Sequence, residues 1–272
     1  MDLSNKNVIH IKNGDVEYLQ FRKLLEYKEL ITHAYGLKKL DYRTHLENNA
    51  IDSYKKIFDK LNIDIKSLVK PTQEHTNNII NIYEKQNKNE PDIILDYLKG
   101  FDGAITDKTG ITLATTNADC ILIILFDPIK KVICNIHSGW RGTFKKISKN
   151  AVEKMKSEYG CRPENIIACI CPSIRVCHFE VDEDVMQMCK EIFSYTNRLD
   201  EIIRVGEIKD GKQKYNIDTV LITKILLEDE GILAKNIIDS EICSVCCSEK
   251  VYSRRADGGD FGLGTAIIEL ND

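Results

Sequence analysis

The sequence predicts an α+β protein, a single domain with an antiparallel or mixed β-sheet core and flanking helices. Three observations lead there: apolar β-prone runs joined by short turns, helical periodicity confined to separate stretches, and no strict β-α-β alternation.

Taken in order, helical spacing runs from about Val16 to Leu30 and again from about Asn49 to Leu61. Ala104 to Thr106 and Ile111 to Thr115 read as strands, followed by the runs Ile121 to Phe126 and Val132 to Ile136. Thr143 is placed to cap a helix through Ile147, Val152 and Met155 that stops at Gly160. Ile166 to Cys171 is the next strand; Asp182 then starts a helix through Val185, Met188 and Ile192. Ile202 to Val205 is a further strand. Asp218 starts the last helix, through Leu221, Ile225 and Leu226 to Gly231, and Thr265 to Leu270 closes the chain as a strand.

The stretch from Asn117 to Thr143 carries most of the chemistry. Asp127-Pro128-Ile129-Lys130 has the Asp and Pro that initiate turns, so the runs on either side form a β-hairpin. If Asp127 pairs with Lys130, Cys120 lies opposite His137 on one face, with β-carbons roughly 4.5 to 5.5 Å apart. That spacing suits two ligands sharing one ion. A slip of one residue would put them on opposite faces.

Composition sets the bounds. With 272 residues, 43% of them hydrophobic, the chain can bury one large core or two modest ones. A net charge of −4 and a pI near 5.9 give no electrostatic case for nucleic acid or an anionic membrane. The opening Met1-Asp-Leu-Ser-Asn-Lys-Asn lacks the basic start and apolar stretch of a signal peptide, so a cytoplasmic location is expected. Ten cysteines are then thiols or ligands rather than a disulfide framework.

Gln73-Glu74-His75, Ala118-Asp119-Cys120, His137-Ser138-Gly139-Trp140-Arg141-Gly142-Thr143, Cys171-Pro172-Ser173-Ile174, Cys177-His178-Phe179-Glu180-Val181 and Tyr252-Ser253-Arg254-Arg255 follow one another along the chain. In that order they resemble the YfiH-like, or laccase-domain, proteins, over roughly Thr72 to Leu270. The resemblance implies a metal held by His75, Cys120 and His137. It also implies phosphorolysis of adenosine, inosine, guanosine and methylthioadenosine, with adenosine deamination. Purine nucleosides and phosphate are thus the expected small-molecule partners, and Zn2+ the expected ion, ahead of copper. The sequence departs from the family at Leu263, where an arginine is common, and after His33-Ala-Tyr-Gly36, where Gly-Gly-Val-Ser and Ser-Leu-Asn-Leu-Gly elements are missing. Residues 1–70 therefore form a divergent N-terminal part.

Two imidazoles and one thiolate leave a fourth tetrahedral position free, as in catalytic zinc sites. Deamination also needs a proton shuttle, and the His-x-Glu with Pro-Cys-x-x-Cys of base deaminases is absent. Asp119 points away from its neighbour Cys120 by strand alternation, so it reads as a structural hydrogen-bonder. Arg141, beside a helix start, is the candidate phosphate ligand, and Arg255 is a second by resemblance. Trp140 reads as packing. Cys243-Ser-Val-Cys246-Cys247 contains a Cys-x-x-Cys, and Cys169, Cys171 and Cys177 could offer further thiolates for a second zinc, an alternative that the spacing leaves open. Paired units at zinc-ribbon spacing are missing, so these are expected to be buried thiols, and the glycines from Gly258 to Gly264 a turn before the last strand. The rival functions are a metal-independent hydrolase with Cys120 as nucleophile and His137 as base, a copper-dependent polyphenol oxidase, and a non-enzymatic binding protein. Six histidines supply few imidazoles for several copper centres.

Overall fold

A computed structural model describes residues 1–43, 49–93 and 95–272. In chain order its strands are β1 (Val8–Asn13), β2 (Val16–Phe21), β3 (Ile31–Gly36), β4 (Leu68–Lys70), β5 (Ile79–Asn81), β6 (Asp92–Ile93), β7 (Gly103–Thr106) and β8 (Thr112–Asn117). There follow β9 (Ile121–Asp127), β10 (Val132–Ser138), β11 (Ile167–Ile170), β12 (Glu180–Val181), β13 (Ile203–Lys209), β14 (Lys212–Ile217), β15 (Ile237–Asp239) and β16 (Gly264–Leu270). The helices are α1 (Arg22–Leu25), α2 (Asn49–Leu61), α3 (Trp140–Phe144), α4 (Ile147–Tyr159), α5 (Glu183–Ile192), α6 (Leu199–Ile202), α7 (Thr219–Asp229) and α8 (Arg254–Asp257). No helix among the described residues is long and apolar enough to cross a membrane.

Two large mixed sheets build the fold, in the orders β1-β2-β3-β16-β8-β4-β6 and β15-β11-β9-β10-β7-β5. They face each other across one core, where Leu113, Ala266 and Ile268 of the first sheet meet Leu122, Ile124, Phe126 and Ile133 of the second. The outer face of the first sheet is covered by Tyr54, Ile57 and Phe58 of α2. Ala151, Val152 and Met155 of α4, with Val220 and Leu227 of α7, cover that of the second. The result is a helix–sheet–sheet–helix sandwich, and it explains why β9 and β10 are buried along their full lengths. A small sheet, β12-β14-β13, packs beside it with α5.

The predicted strands at 104–106, 111–115, 166–171, 202–205 and 265–270 form within a few residues of their expected bounds. So do the helices at 49–61, 182–192 and 218–231. Asp218 caps α7 by accepting from the Leu221 N–H at 2.8 Å. Asp182 precedes α5 but spends its carboxylate on Lys214 instead of a cap.

Three expectations are corrected. The stretch 16–30 is not a helix but β2, the single turn α1 and a loop entering β3. A strand buried on both faces mimics helical spacing, because Val16 and Tyr18 pack toward α2 while Leu19 and Phe21 pack toward the second sheet. Thr143 is inside α3, its hydroxyl 2.8 Å from that of Ser138 and 3.2 Å from the Gly139 carbonyl, and α4 starts after Lys146 turns left-handed at φ 62°. The hairpin register is two residues off, with Val132 opposite Asp127 and His137 opposite Leu122. The connecting loop has four residues, 128–131, because Asp127 accepts from the N–H groups of Ile129 and Lys130 and Lys131 is left-handed. A slip of two keeps every side chain on its expected face.

Candidate metal centre

His137, Cys120 and His75 arrive at one edge of the sandwich from three elements. His137 stands near the end of β10, on the face turned toward the first sheet. Two residues before it, Asn135 ties that sheet down by donating to the carbonyls of Leu113 (3.1 Å) and Ala266 (2.8 Å). Cys120 ends the three-residue linker from β8 in one sheet to β9 in the other, a crossing made possible by Asp119 at φ 84°. His75 lies in the loop between β4 and β5, where Gln73 (φ 63°) and His75 (φ 59°) both take the left-handed conformation.

Such a loop needs outside support, and two side chains supply it. Gln73 pairs with the backbone of Thr116, donating to its carbonyl at 2.7 Å and accepting from its N–H at 2.8 Å. Asp102, fully buried, accepts from the N–H groups of Glu74 (3.1 Å), His75 (3.0 Å) and Thr76 (2.6 Å) and from the Thr76 hydroxyl (2.8 Å). The same carboxylate accepts from His137 Nδ1 at 2.8 Å, leaving Nε2 to face the cluster. Asp102 thus positions both imidazoles at once.

Cys120 Sγ lies 4.0 Å from His75 Nε2, and one donor atom from each of the three residues lies within 4.8 Å of the others. The two rings meet edge to face, centroids 5.0 Å apart. Zinc bonds of about 2.0 to 2.3 Å put tetrahedral ligands about 3.6 Å apart, so small movements would bring these three onto one ion. Gly139 leaves the room: a Cβ there would stand 2.5 Å from His75 Cδ2 and 3.2 Å from Cys120 Sγ.

Electrostatics reinforce the geometry. Burial works against ionising the Cys120 thiol, but the His137 imidazolium and then His75 outweigh it and bring the pKa down to about 6. Burial would likewise lower His137, yet the Cys120 thiolate and the Asp102 carboxylate push it up to about 9. Metal-free protein should therefore hold a thiolate from about pH 6 upward. We expect iodoacetamide labelling of Cys120, followed by peptide mass mapping, to rise through about pH 6 instead of about 8.5. Zinc should suppress it; a midpoint above 8 would contradict the ion pair.

A cavity of about 760 Å³ opens over this cluster. Trp140, Ile174, Phe179, Phe261 and Leu263 give it apolar walls, and Lys70, Arg141, Arg254 and Arg255 reach it as cations. Arg141 stacks on the Trp140 ring with its guanidinium carbon 4.2 Å from the centroid. Among the described residues the contacts of Arg141, Arg254 and Lys70 are with the Trp140 ring, the Phe261 ring and the Pro71 carbonyl, not with a carboxylate. Lys70 is buried, its one acceptor among the described residues the Pro71 carbonyl at 3.4 Å, and burial lowers it to about 8. Arg255 is differently employed: its guanidinium donates to the carbonyls of His178 (2.7 Å) and Glu180 (3.2 Å), bracing the wall. Asp119 accepts from Ser244 Oγ, Ser253 Oγ and the Arg255 N–H at 2.6 to 2.8 Å.

Sequence reasoning missed Asp102 and Lys70, and it held Gly139 and Arg254 only as members of their short strings, with no role of their own. Asp102 had one faint signal, an Asp-Gly before a β-prone run. Of the cysteines weighed for a second zinc, Cys177, Cys243 and Cys246 converge, together with His178, because the chain at Ser173 bridges the chain at Cys243. Cys169 and Cys171 stay in the core as expected.

The sequence model of a family described as multi-copper polyphenol oxidoreductase laccase matches residues 33–271. The mouse protein named purine nucleoside phosphorylase LACC1 is 34% identical over 178 residues, 64% of this chain and 39% of its own length, so the chain spans about two fifths of that relative. Adenosine deaminase RL5, from an unknown prokaryotic organism, is 29% identical over 258 residues, 91% of this chain and 96% of that one. The crystal structure of the hypothetical protein YfiH from Bacillus licheniformis superposes with a TM-score of 0.85 at 24% identity, covering 96% of this chain and 99% of the other.

Proposed function

The chain belongs to the multi-copper polyphenol oxidoreductase laccase family, and we propose that this member is a purine nucleoside phosphorylase that also deaminates adenosine, with a zinc ion held by His75, Cys120 and His137. The observation that carries this reading is the one-thiolate, two-imidazole cluster on the floor of a cavity with apolar and cationic walls. The names of the mouse and prokaryotic relatives support the two reactions. Nothing in the charge of the chain favours nucleic acid or membrane as a partner. A reducing compartment such as the cytoplasm keeps the Cys120 thiolate available.

The donor set suits zinc: a depressed thiol, an imidazole whose Nδ1–H is held by a carboxylate, and three ligands with a fourth direction open. When bound, the ion supplies Lewis acidity and makes water acidic near neutrality. The chain's own residues do the rest. Lys70, Arg141 and Arg254 bring positive charge without carboxylate partners to one cavity, where they hold phosphate and neutralise it. In phosphorolysis a phosphate oxygen bonds to the anomeric carbon, the bond from that carbon to the purine nitrogen breaks, and its electron pair leaves with the base, which takes up a proton. Phe179 and Phe261 give the purine apolar aromatic surface, while Trp140 packs against Phe144 and carries Arg141. Asp119, with its oxygens taken by two hydroxyls and an N–H, stays a structural acceptor rather than a proton shuttle.

Incubating metal-assayed protein with adenosine and with inosine, each with and without phosphate, tests the reading. Free base plus ribose phosphate supports phosphorolysis, and inosine from adenosine supports deamination; no product from either nucleoside rejects both. Arg141→Ala and Arg254→Ala should each raise the phosphate KM about tenfold or more while zinc content stays constant, since a charge-assisted contact is worth about 1.5 to 3 kcal/mol. Arg255→Ala should act on stability more than on phosphate. Copper in place of zinc on metal analysis would redirect attention to oxidation.

A second reading is favoured by one observation, the Asp102–His137–Cys120 series, which has the layout of a cysteine hydrolase. It leaves His75 without a role. Activity that survives a chelator and a trapped thioester would establish it.

A further inference from the structure

We propose that Cys177, His178, Cys243 and Cys246 form a second, structural zinc site that pins the cavity wall. One donor atom from each lies within 4.8 Å of the other three. Cys177 Sγ is 3.7 Å from Cys243 Sγ and 4.0 Å from Cys246 Sγ. His178 Nδ1 stands 3.2, 3.6 and 3.5 Å from the sulfurs of Cys177, Cys243 and Cys246. With Zn–S about 2.3 Å and Zn–N about 2.0 to 2.1 Å, a tetrahedral ion needs sulfurs about 3.8 Å apart and sulfur to nitrogen about 3.6 Å. The five distances scatter around those values by a few tenths of an ångström.

The backbone prepares the site. Ser173 bridges Cys243 in parallel, with Ser173 N–H donating to Ile242 O (3.3 Å) and Ser244 N–H to Ser173 O (3.0 Å). Tight turns follow on both segments, closed by His178 N–H to Arg175 O (2.8 Å) and Cys247 N–H to Cys243 O (3.0 Å). Four protein donors leave no open position, so the ion would hold structure rather than perform chemistry.

Its position gives it a purpose. The 173–181 segment contributes Ile174 and Phe179 to the cavity, and the His178 and Glu180 carbonyls hold the Arg255 guanidinium. Ser244, inside the Cys-x-x-Cys, donates to Asp119, the neighbour of Cys120. Tying these loops together keeps one wall of the nucleoside pocket in place.

Zinc counting on the protein as purified, by mass spectrometry of the metal, tests this. Wild type should carry about two zinc ions per chain. Cys177→Ser/Cys246→Ser, at two exposed positions, should lose one, and its remaining ion should disappear when Cys120→Ser is added. X-ray absorption of Cys120→Ser alone, which keeps the second site, should show three sulfurs and one nitrogen, a readout that does not depend on the double variant folding. A single ion lost with Cys120→Ser and retained by the double variant would overturn the proposal. So would a Cys177–Cys243 disulfide in the purified, unoxidised protein. Zinc lost only with the double variant would uphold this site and refute the metal assignment at Cys120.

Discussion

Asp102→Ala is expected to destabilise the protein by about 3 to 5 kcal/mol, the range for leaving a buried charged partner uncompensated. The fully buried carboxylate takes three consecutive N–H groups and a hydroxyl from the His75 loop and the Nδ1–H of His137; alanine leaves the four nitrogen donors without that acceptor, while the Thr76 hydroxyl keeps the Gly100 carbonyl at 3.1 Å. At about 2 to 4 °C per kcal/mol for a domain of this size, the Tm should fall by about 10 °C. Asp102→Asn keeps one acceptor oxygen and should fold, but zinc affinity should drop about 10- to 100-fold as His137 loses its orienting carboxylate. The acid limb reports the same group. Burial would raise the Asp102 pKa, but His137 and the Thr76 donors bring it down to about 2. A depressed carboxyl contributes stability above its unfolded value near 3.9 and loses it as pH falls toward 2, so Asp102→Asn should flatten the stability profile in that window. Equal thermal stability of Asp102→Ala and wild type would refute the role.

Gly139→Ala should cut kcat/KM about 100-fold or more with the fold intact. The backbone at Gly139 is extended, φ −61° and ψ 162°, so any residue can adopt it. What it cannot accommodate is the added methyl group, which would stand 2.5 Å from His75 Cδ2 and 3.0 Å from His75 Nε2. The ring must move, and displacement of about 1 Å at a catalytic centre can cost about 100-fold. Stability should change by no more than about 1 kcal/mol, the size of a cap effect at the start of α3. Gly259→Ala, where nothing lies within 4 Å, is the silent control. Zinc affinity and kcat/KM of Gly139→Ala matching wild type would show that His75 is not held against Gly139.

Much of the fold was legible because it depends on local pattern. The runs on either side of Asp127-Pro128 declared a hairpin, and Asp218 and Gly231 marked both ends of a helix. The error at 16–30 arose where local pattern is ambiguous: β2 has apolar residues on both faces, and only the layer that covers each face distinguishes it from a helix. The hairpin register was wrong by two for a related reason. The left-handed Lys131 adds residues to the loop, and no composition rule anticipates it.

His75, Cys120, His137 and Arg141 could be picked out because each sits in an unusual short string of residues, and the cavity gathers all four. Asp102 and Lys70 could not, since an acid or a cation gains its role from its spatial neighbours, set by chain segments tens of residues away; Arg254 lay in such a string, but only the fold separates its place in the cavity from that of Arg255. The cysteine cluster shows the same limit: Cys177 and Cys243 are 66 positions apart, and no spacing rule unites them.

Secondary structure and the chemical types available for a centre follow from residues near one another in the chain, where propensity, turn chemistry and short motifs act, and the sequence alone determined these. Which side chains meet depends on two sheets closing over a shared core. Burial then decides pKa values, the room beside Gly139 and the meeting of four ligands, so those features belonged to the tertiary structure.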